Sequence, residues 1–236
     1  MARTAALPWP GRGCGGALMK KIYIAVFAAT VALSGTAWAR SDTPKLDDHV
    51  AAAIHRDDVA AVSKWIKSGA DLNAQDASGY TALFVATVSS HPDLIKLLLE
   101  KGADPNIKNE DNQTALHFAA MTSNLDAARL LLDKKAAVDV KDVKGNTPLM
   151  YAVATGQVEL VKILLEHGAN VADRDNNGYT SLMAASSAGF TDVVKELLEY
   201  HPQLDIKAND GSTALSLATT NNHPDIEKLL RKHGAE

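Results

Sequence analysis

The sequence predicts an all-α repeat solenoid, a stack of about six helix-turn-helix units joined by hairpin loops. A fixed period of 33 residues carries the prediction: Thr81-Ala82-Leu83, Thr114-Ala115-Leu116, Thr147-Pro148-Leu149, Thr180-Ser181-Leu182 and Thr213-Ala214-Leu215. A turn residue recurs in the same step, as Gly79, Asn112, Gly145, Gly178 and Gly211. A period in the range of roughly 20 to 50 residues marks a supersecondary unit that buries its apolar face only by stacking on copies of itself.

The first 39 residues stand outside that pattern. Met19-Lys20-Lys21 precedes an apolar run at residues 22–33 and then Ala37-Trp38-Ala39. Basic start, short apolar stretch and small residues before a cleavage point are the three parts of a Sec signal peptide, cut after Ala39. The run is too short for a comfortable membrane span, so no stable membrane insertion is expected after cleavage. Residues 1–18 fit neither a targeting signal nor a fold, and Met19 is a candidate initiator. The only cysteine is Cys14, so the exported chain holds together by packing, without disulfides or thiolate metal sites. Cleavage removes Arg3, Arg12, Lys20 and Lys21 and no acid, which takes the formal charge from −4 to −8. An acidic chain argues against nucleic acid and anionic membrane surfaces as partners.

Residues 40–236 then read as one domain with repeats at about 46–75, 76–108, 109–141, 142–174, 175–207 and 208–236. In the first, a helix around Val50 and Ala53 precedes a second bearing Val59, Val62, Trp65 and Ile66, with Asp57 and Asp58 favouring its start through the backbone dipole. The fourth is the cleanest unit. Thr147 suits an N-cap and Pro148 the first helical position, where its missing N–H costs nothing. A break at Thr155-Gly156 leads to a second helix whose Val158, Leu160, Val161, Ile163, Leu164 and Leu165 cover more than one face, as packing against neighbours on both sides requires. Gly168 ends it at a site of positive φ. The equivalent slots hold Lys135 and His201, which should cost about 1 kcal/mol each at positive φ and make softer or rebuilt loops. The last unit puts Glu227, Lys228, Arg231 and Lys232 on its second helix, a polar outer face suited to a terminal repeat.

Asp142-Val143-Lys144-Gly145-Asn146-Thr147-Pro148-Leu149, followed by Gly156 through Val161, Leu164-Leu165 and Gly168-Ala169, closely resembles the ankyrin repeat. The resemblance runs over nearly the whole exported chain. The family's histidine appears only in Thr114-Ala115-Leu116-His117; Phe84, Met150, Met183 and Ser216 take its slot elsewhere, so the family's Thr-to-His hydrogen bond is mostly absent.

Sites for chemistry are not apparent. None of the eight histidines forms a His-x-x-x-His pair, and no nucleophile elbow, phosphate-cradling loop or paired-carboxylate constellation is present. His91-Pro92-Asp93 and His223-Pro224-Asp225 copy the tripeptide of J-domain cochaperones, but both fall at the start of a second helix, where proline and aspartate are ordinary choices. No catalysis, cofactor or metal is therefore expected. What the resemblance implies is a concave groove of hairpin tips and first helices that binds a protein. Slot by slot, it offers Tyr80, Val88, Gln113, Met121, Asn146, Thr155, Tyr179, Ser187 and Ser212 as partner-binding residues. Tyr80 and Tyr179 are the candidate anchors, with a ring laid across the next hairpin as the alternative reading of each.

With the signal peptide, the resemblance implies a monomeric periplasmic scaffold for another exported protein, of the type linked to periplasmic catalase and oxidative-stress defence. Two rivals share every feature: an immunity or inhibitor protein against a periplasm-targeted toxin enzyme, and a secreted, host-directed effector.

Overall fold

The computed structural model describes residues 46–236, so the signal-peptide reading, the cleavage after Ala39 and all of residues 1–45 lie outside the described residues. Those described form six helix pairs: α1 (Asp48–His55) with α2 (Val59–Lys67), α3 (Ala82–Ser89) with α4 (Pro92–Glu100), and α5 (Ala115–Met121) with α6 (Leu125–Asp133). There follow α7 (Pro148–Ala154) with α8 (Val158–Glu166), α9 (Ser181–Ala188) with α10 (Thr191–Leu198), and α11 (Ala214–Thr220) with α12 (Pro224–Lys232). Each helix packs on its own partner and on the corresponding helix of the next pair, giving two parallel rows. The fold is the expected all-α solenoid. Among the described residues the hairpins contribute no strand, and Arg174 and Thr180 form an isolated antiparallel bridge.

The repeating threonine starts the first helices. Thr81, Thr147, Thr180 and Thr213 are extended N-caps whose hydroxyls accept from the N–H three residues on, at 3.3, 3.4, 3.3 and 3.1 Å. Each such cap contributes about 1 kcal/mol. Pro92, Pro148 and Pro224 open their helices as expected, and Asp58 caps α2 by accepting from the Ala61 N–H at 2.9 Å. Gly156, at φ 69°, separates α7 from α8.

Position in the stack decides composition. First helices lie between two neighbours and the second row, so α3 is buried from Ala82 through Val88 and α9 from Ser181 through Ser186. Second helices keep one face in water; Leu160, Val161, Ile163, Leu164 and Leu165 of α8 are buried while Glu159, Lys162 and Glu166 are exposed. Full burial of each such leucine stabilises by about 1.5–3 kcal/mol. Ser186 is a misfit in this row. Its hydroxyl is fully buried with no hydrogen-bond partner among the described residues, unlike Thr87, which donates to the Leu83 carbonyl at 2.9 Å. Ser186→Ala removes an unpaired polar atom without opening a cavity, and should raise the urea midpoint by an amount worth about 1 kcal/mol.

The two unusual helix-end residues behave differently from each other. Lys135 does adopt positive φ, at 60°, yet its loop is regular: Lys135 N–H donates to Leu132 O at 2.9 Å and Ala136 N–H to Leu131 O at 3.0 Å, the same distances as at Gly168 and Ala169. The expected rebuilding is thus absent there. It occurs at His201, φ 49°, where α10 stops one residue short of the length of the other second helices.

Candidate functional site

The hairpin tips form a rigid rim. In the fourth repeat Asp142 Oδ1 accepts from the Lys144 and Asn146 N–H groups at 2.9 and 2.8 Å, and the Gly145 N–H closes the turn on the Asp142 carbonyl at 2.9 Å. Asp76, Asn109 and Asp175 repeat the side-chain pattern. Adjacent tips are then joined by backbone bonds: Val143 N–H to Asp111 O at 3.0 Å, Asn176 to Lys144 at 3.0 Å and Asn209 to Asn177 at 2.9 Å. Long side chains just before the turns reinforce the row. Gln75 Nε2 donates to Lys108 O at 2.9 Å, and an Arg174 guanidinium nitrogen to Lys207 O at 2.8 Å.

Behind the rim, the ends of the first helices make the floor. Met121, Thr155, Ser187 and Ser212 are half-buried and reachable. Three predicted contact residues are not. Val88 is sealed under Tyr80 and Met121 in a satellite cluster with Phe84 and Phe118, whose ring centroids are 4.2 Å apart. Gln113 is buried because its N–H is bound to Asn109 Oδ1 at 2.7 Å and its amide reaches the Tyr151 hydroxyl at 3.4 Å. Asn146 is buried between its own Asp142 and the His117 ring, whose Nε2 lies 3.3 Å from the Asn146 carbonyl.

The two tyrosines are half-buried and engaged. Tyr80 stacks on Phe84 at 4.4 Å. Tyr179 donates its hydroxyl to Asp210 Oδ2 at 2.6 Å, laying its ring across the next hairpin. That bond raises the Tyr179 pKa and holds the Asp210 carboxyl below its usual range.

One groove residue escaped the sequence reading. Tyr151, half-buried, donates to Asp142 Oδ2 at 2.7 Å and sits edge-on to His117 with centroids 6.0 Å apart. Its slot is occupied by other residue types in the other repeats, so the period gives no hint of it. His117 itself is fully buried. Its Nδ1 accepts from the Thr114 N–H at 3.1 Å, which leaves the proton on Nε2 to face the Asn146 carbonyl. Burial lowers its pKa to about 4, outweighing the Asn146 carbonyl and Asp142, which act the other way.

The floor is uncharged from the second repeat onward: Ser89, Met121, Thr122, Ala154, Thr155, Ser187, Ala188, Thr220 and Asn221. Charge lies on the second helices, along the outer loops and at a few tips, among them Glu110, Asp111, Lys144 and Asp210. Val143 is an apolar side chain standing 48% exposed on the rim. Among the described residues no group of three or more His, Cys, Asp or Glu could hold a metal ion, and no helix is long and apolar enough to cross a membrane.

No curated protein matches the chain. The family description "Ankyrin repeats (3 copies)" matches it at residues 48–109, 101–175 and 171–236, which spans all twelve described helices. With that match over nearly all of the described residues, and the paired helices, capped threonines and linked hairpin tips it covers, the chain belongs to the ankyrin-repeat family.

Proposed function

We propose that the chain is a periplasmic scaffold that binds another exported protein through the groove between its hairpin tips and first helices. Ankyrin-repeat domains are generally non-catalytic interaction modules, so a protein partner follows from the family. The location rests on the signal-peptide pattern before Ala39 and on an exported chain free of cysteine. The observation that carries the choice of surface is the pairing of a hydrogen-bonded rim with a floor of small, uncharged side chains. A preorganised surface loses little entropy on binding, and an uncharged floor has no charges of its own to strip of water. Met121, Val143, Thr155, Ser187 and Ser212 are its reachable contacts, with Tyr80 and Tyr179 at its margin. Support of a periplasmic catalase is the specific role that the family resemblance suggests; inhibition of a delivered toxin enzyme is its rival.

A tagged chain retained on resin in periplasmic extract should hold one stoichiometric partner. Thr155→Arg/Ser187→Arg fills the floor with two long cations, leaves the buried core alone, and should weaken that complex by more than about tenfold at an unchanged urea midpoint. A partner held equally by both forms would place binding elsewhere. Identification of the partner as a catalase or as a toxin enzyme separates the two roles.

A further inference from the structure

The outer loops of the second, third, fourth and sixth repeats, where a second helix ends and the chain turns back, are each held by two links. The first closes the helix: Ala103, Ala136, Ala169 and Ala235 donate to Leu98, Leu131, Leu164 and Leu230 carbonyls at 3.0, 3.0, 3.0 and 3.1 Å. The second stitches the loop to the preceding repeat. Asp104 N–H donates to Asn73 Oδ1 at 2.9 Å, Ala137 to Asn106 at 2.7 Å, Asn170 to Asp139 at 3.0 Å and Glu236 to Asp205 at 3.3 Å.

In the fifth repeat both links are missing at one place. The donor slots hold Pro202, which has no N–H, and Gln203, whose acceptor slot in the preceding repeat holds Ala172. The flanking geometry is loosened as well. His201 is strained at φ 49°, and α10 ends early at Leu198. The hairpin edge of the same junction is intact. Asn176 N–H donates to Lys144 O at 3.0 Å, and an Arg174 guanidinium nitrogen donates to Lys207 O at 2.8 Å.

We propose that this junction is a hinge: its outer edge opens at residues 199–206 while its hairpin edge stays closed, so the fifth and sixth repeats tilt against the first four. Local opening is set by the few bonds that must break, and here the outer edge has lost two that every other described junction keeps at those slots. Because the tilt turns about the rim, it changes the curvature of the groove without unfolding a repeat. The reading stands on the junction alone and holds whatever the groove binds.

Amide exchange followed by mass spectrometry on the intact chain tests it. Corrected for intrinsic rates, residues 203–206 should exchange at least about fivefold faster than 104–107, 137–140 and 170–173. Ala172→Asn restores the acceptor and should slow 203–206 by a similar factor, while Asn106→Ala, which removes the acceptor of the Ala137 N–H, should speed exchange at 137–140. Equal exchange in all four loops, or a folded Ala172→Asn chain with unchanged rates, overturns the proposal. Spin labels on cysteines at Glu166 and Glu199, one period apart across the junction, should give a broader distance distribution than labels at Asp133 and Glu166. Equal widths would refute the tilt.

Discussion

Gly145→Val lowers stability by about 3–4 kcal/mol, more than the backbone of the turn alone can account for. Two effects add. Gly145 sits at φ 81°, where a β-branched residue is strained by about 1–2 kcal/mol. A Cβ there would also lie 2.8 Å from the Asn176 backbone nitrogen and 2.7 Å from its Oδ1. That nitrogen is the donor joining the fourth and fifth tips, so the side chain cannot be accommodated without prying the rim apart. Gly211 separates the two effects. It has φ 84° in the last hairpin, with nothing within 4 Å of its would-be Cβ. Gly211→Val should therefore cost only the backbone strain, about 1–2 kcal/mol. Urea midpoints of the two variants measure the difference, and equal losses would mean that the stacking of tips contributes nothing.

The same contrast shows what the sequence could and could not convey. Threonine caps, turn glycines and apolar helices are local, so one repeat read in isolation reveals them and the period multiplies the signal. Reachability in the groove is not local. Val88 occupies a slot that varies from repeat to repeat, yet variation at a slot is not exposure. Its burial follows from Phe84, in the slot the family gives to histidine, meeting Phe118 one repeat later. Gln113 and Asn146 read as polar tip residues, and only the positions of Tyr151 and His117 one helix away turn them inward. Ser216 illustrates the converse. In the histidine slot it looks like a loss, but its hydroxyl accepts from the Thr213 N–H at 2.9 Å while Thr213 Oγ1 accepts from its own N–H, so a capping box survives in a different residue. The fifth outer loop was legible only in part. His201 signalled strain, whereas the paired effect of Ala172 and Pro202, thirty residues apart, emerges once the two repeats are laid side by side.

His117 supplies the second large effect, and it acts through pH. Folded, its pKa is about 4; unfolded, it returns to the ordinary 6.5. Between those values the unfolded chain binds a proton that the folded chain refuses, so stability rises with pH through this window and is flat with respect to His117 above it. Taken from pH 7 to pH 4, the chain should lose about 3 kcal/mol through this residue. The cause is structural. Both ring nitrogens are committed in the neutral form, Nδ1 as acceptor from Thr114 and Nε2 as donor to Asn146, so a proton added at Nδ1 displaces a bond that caps α5 in a site closed to water. His55, at the surface and also lowered, chiefly by desolvation, contributes in the same direction. His117→Met isolates the larger part, because Met150 and Met183 already fill this slot in the next two repeats. That variant should start lower at pH 7, having lost two hydrogen bonds, yet fall less steeply between pH 6.5 and 4.5, above the range where most carboxylates titrate. Urea midpoints taken across that interval decide it: parallel curves for the two proteins would show that His117 is not the group that titrates.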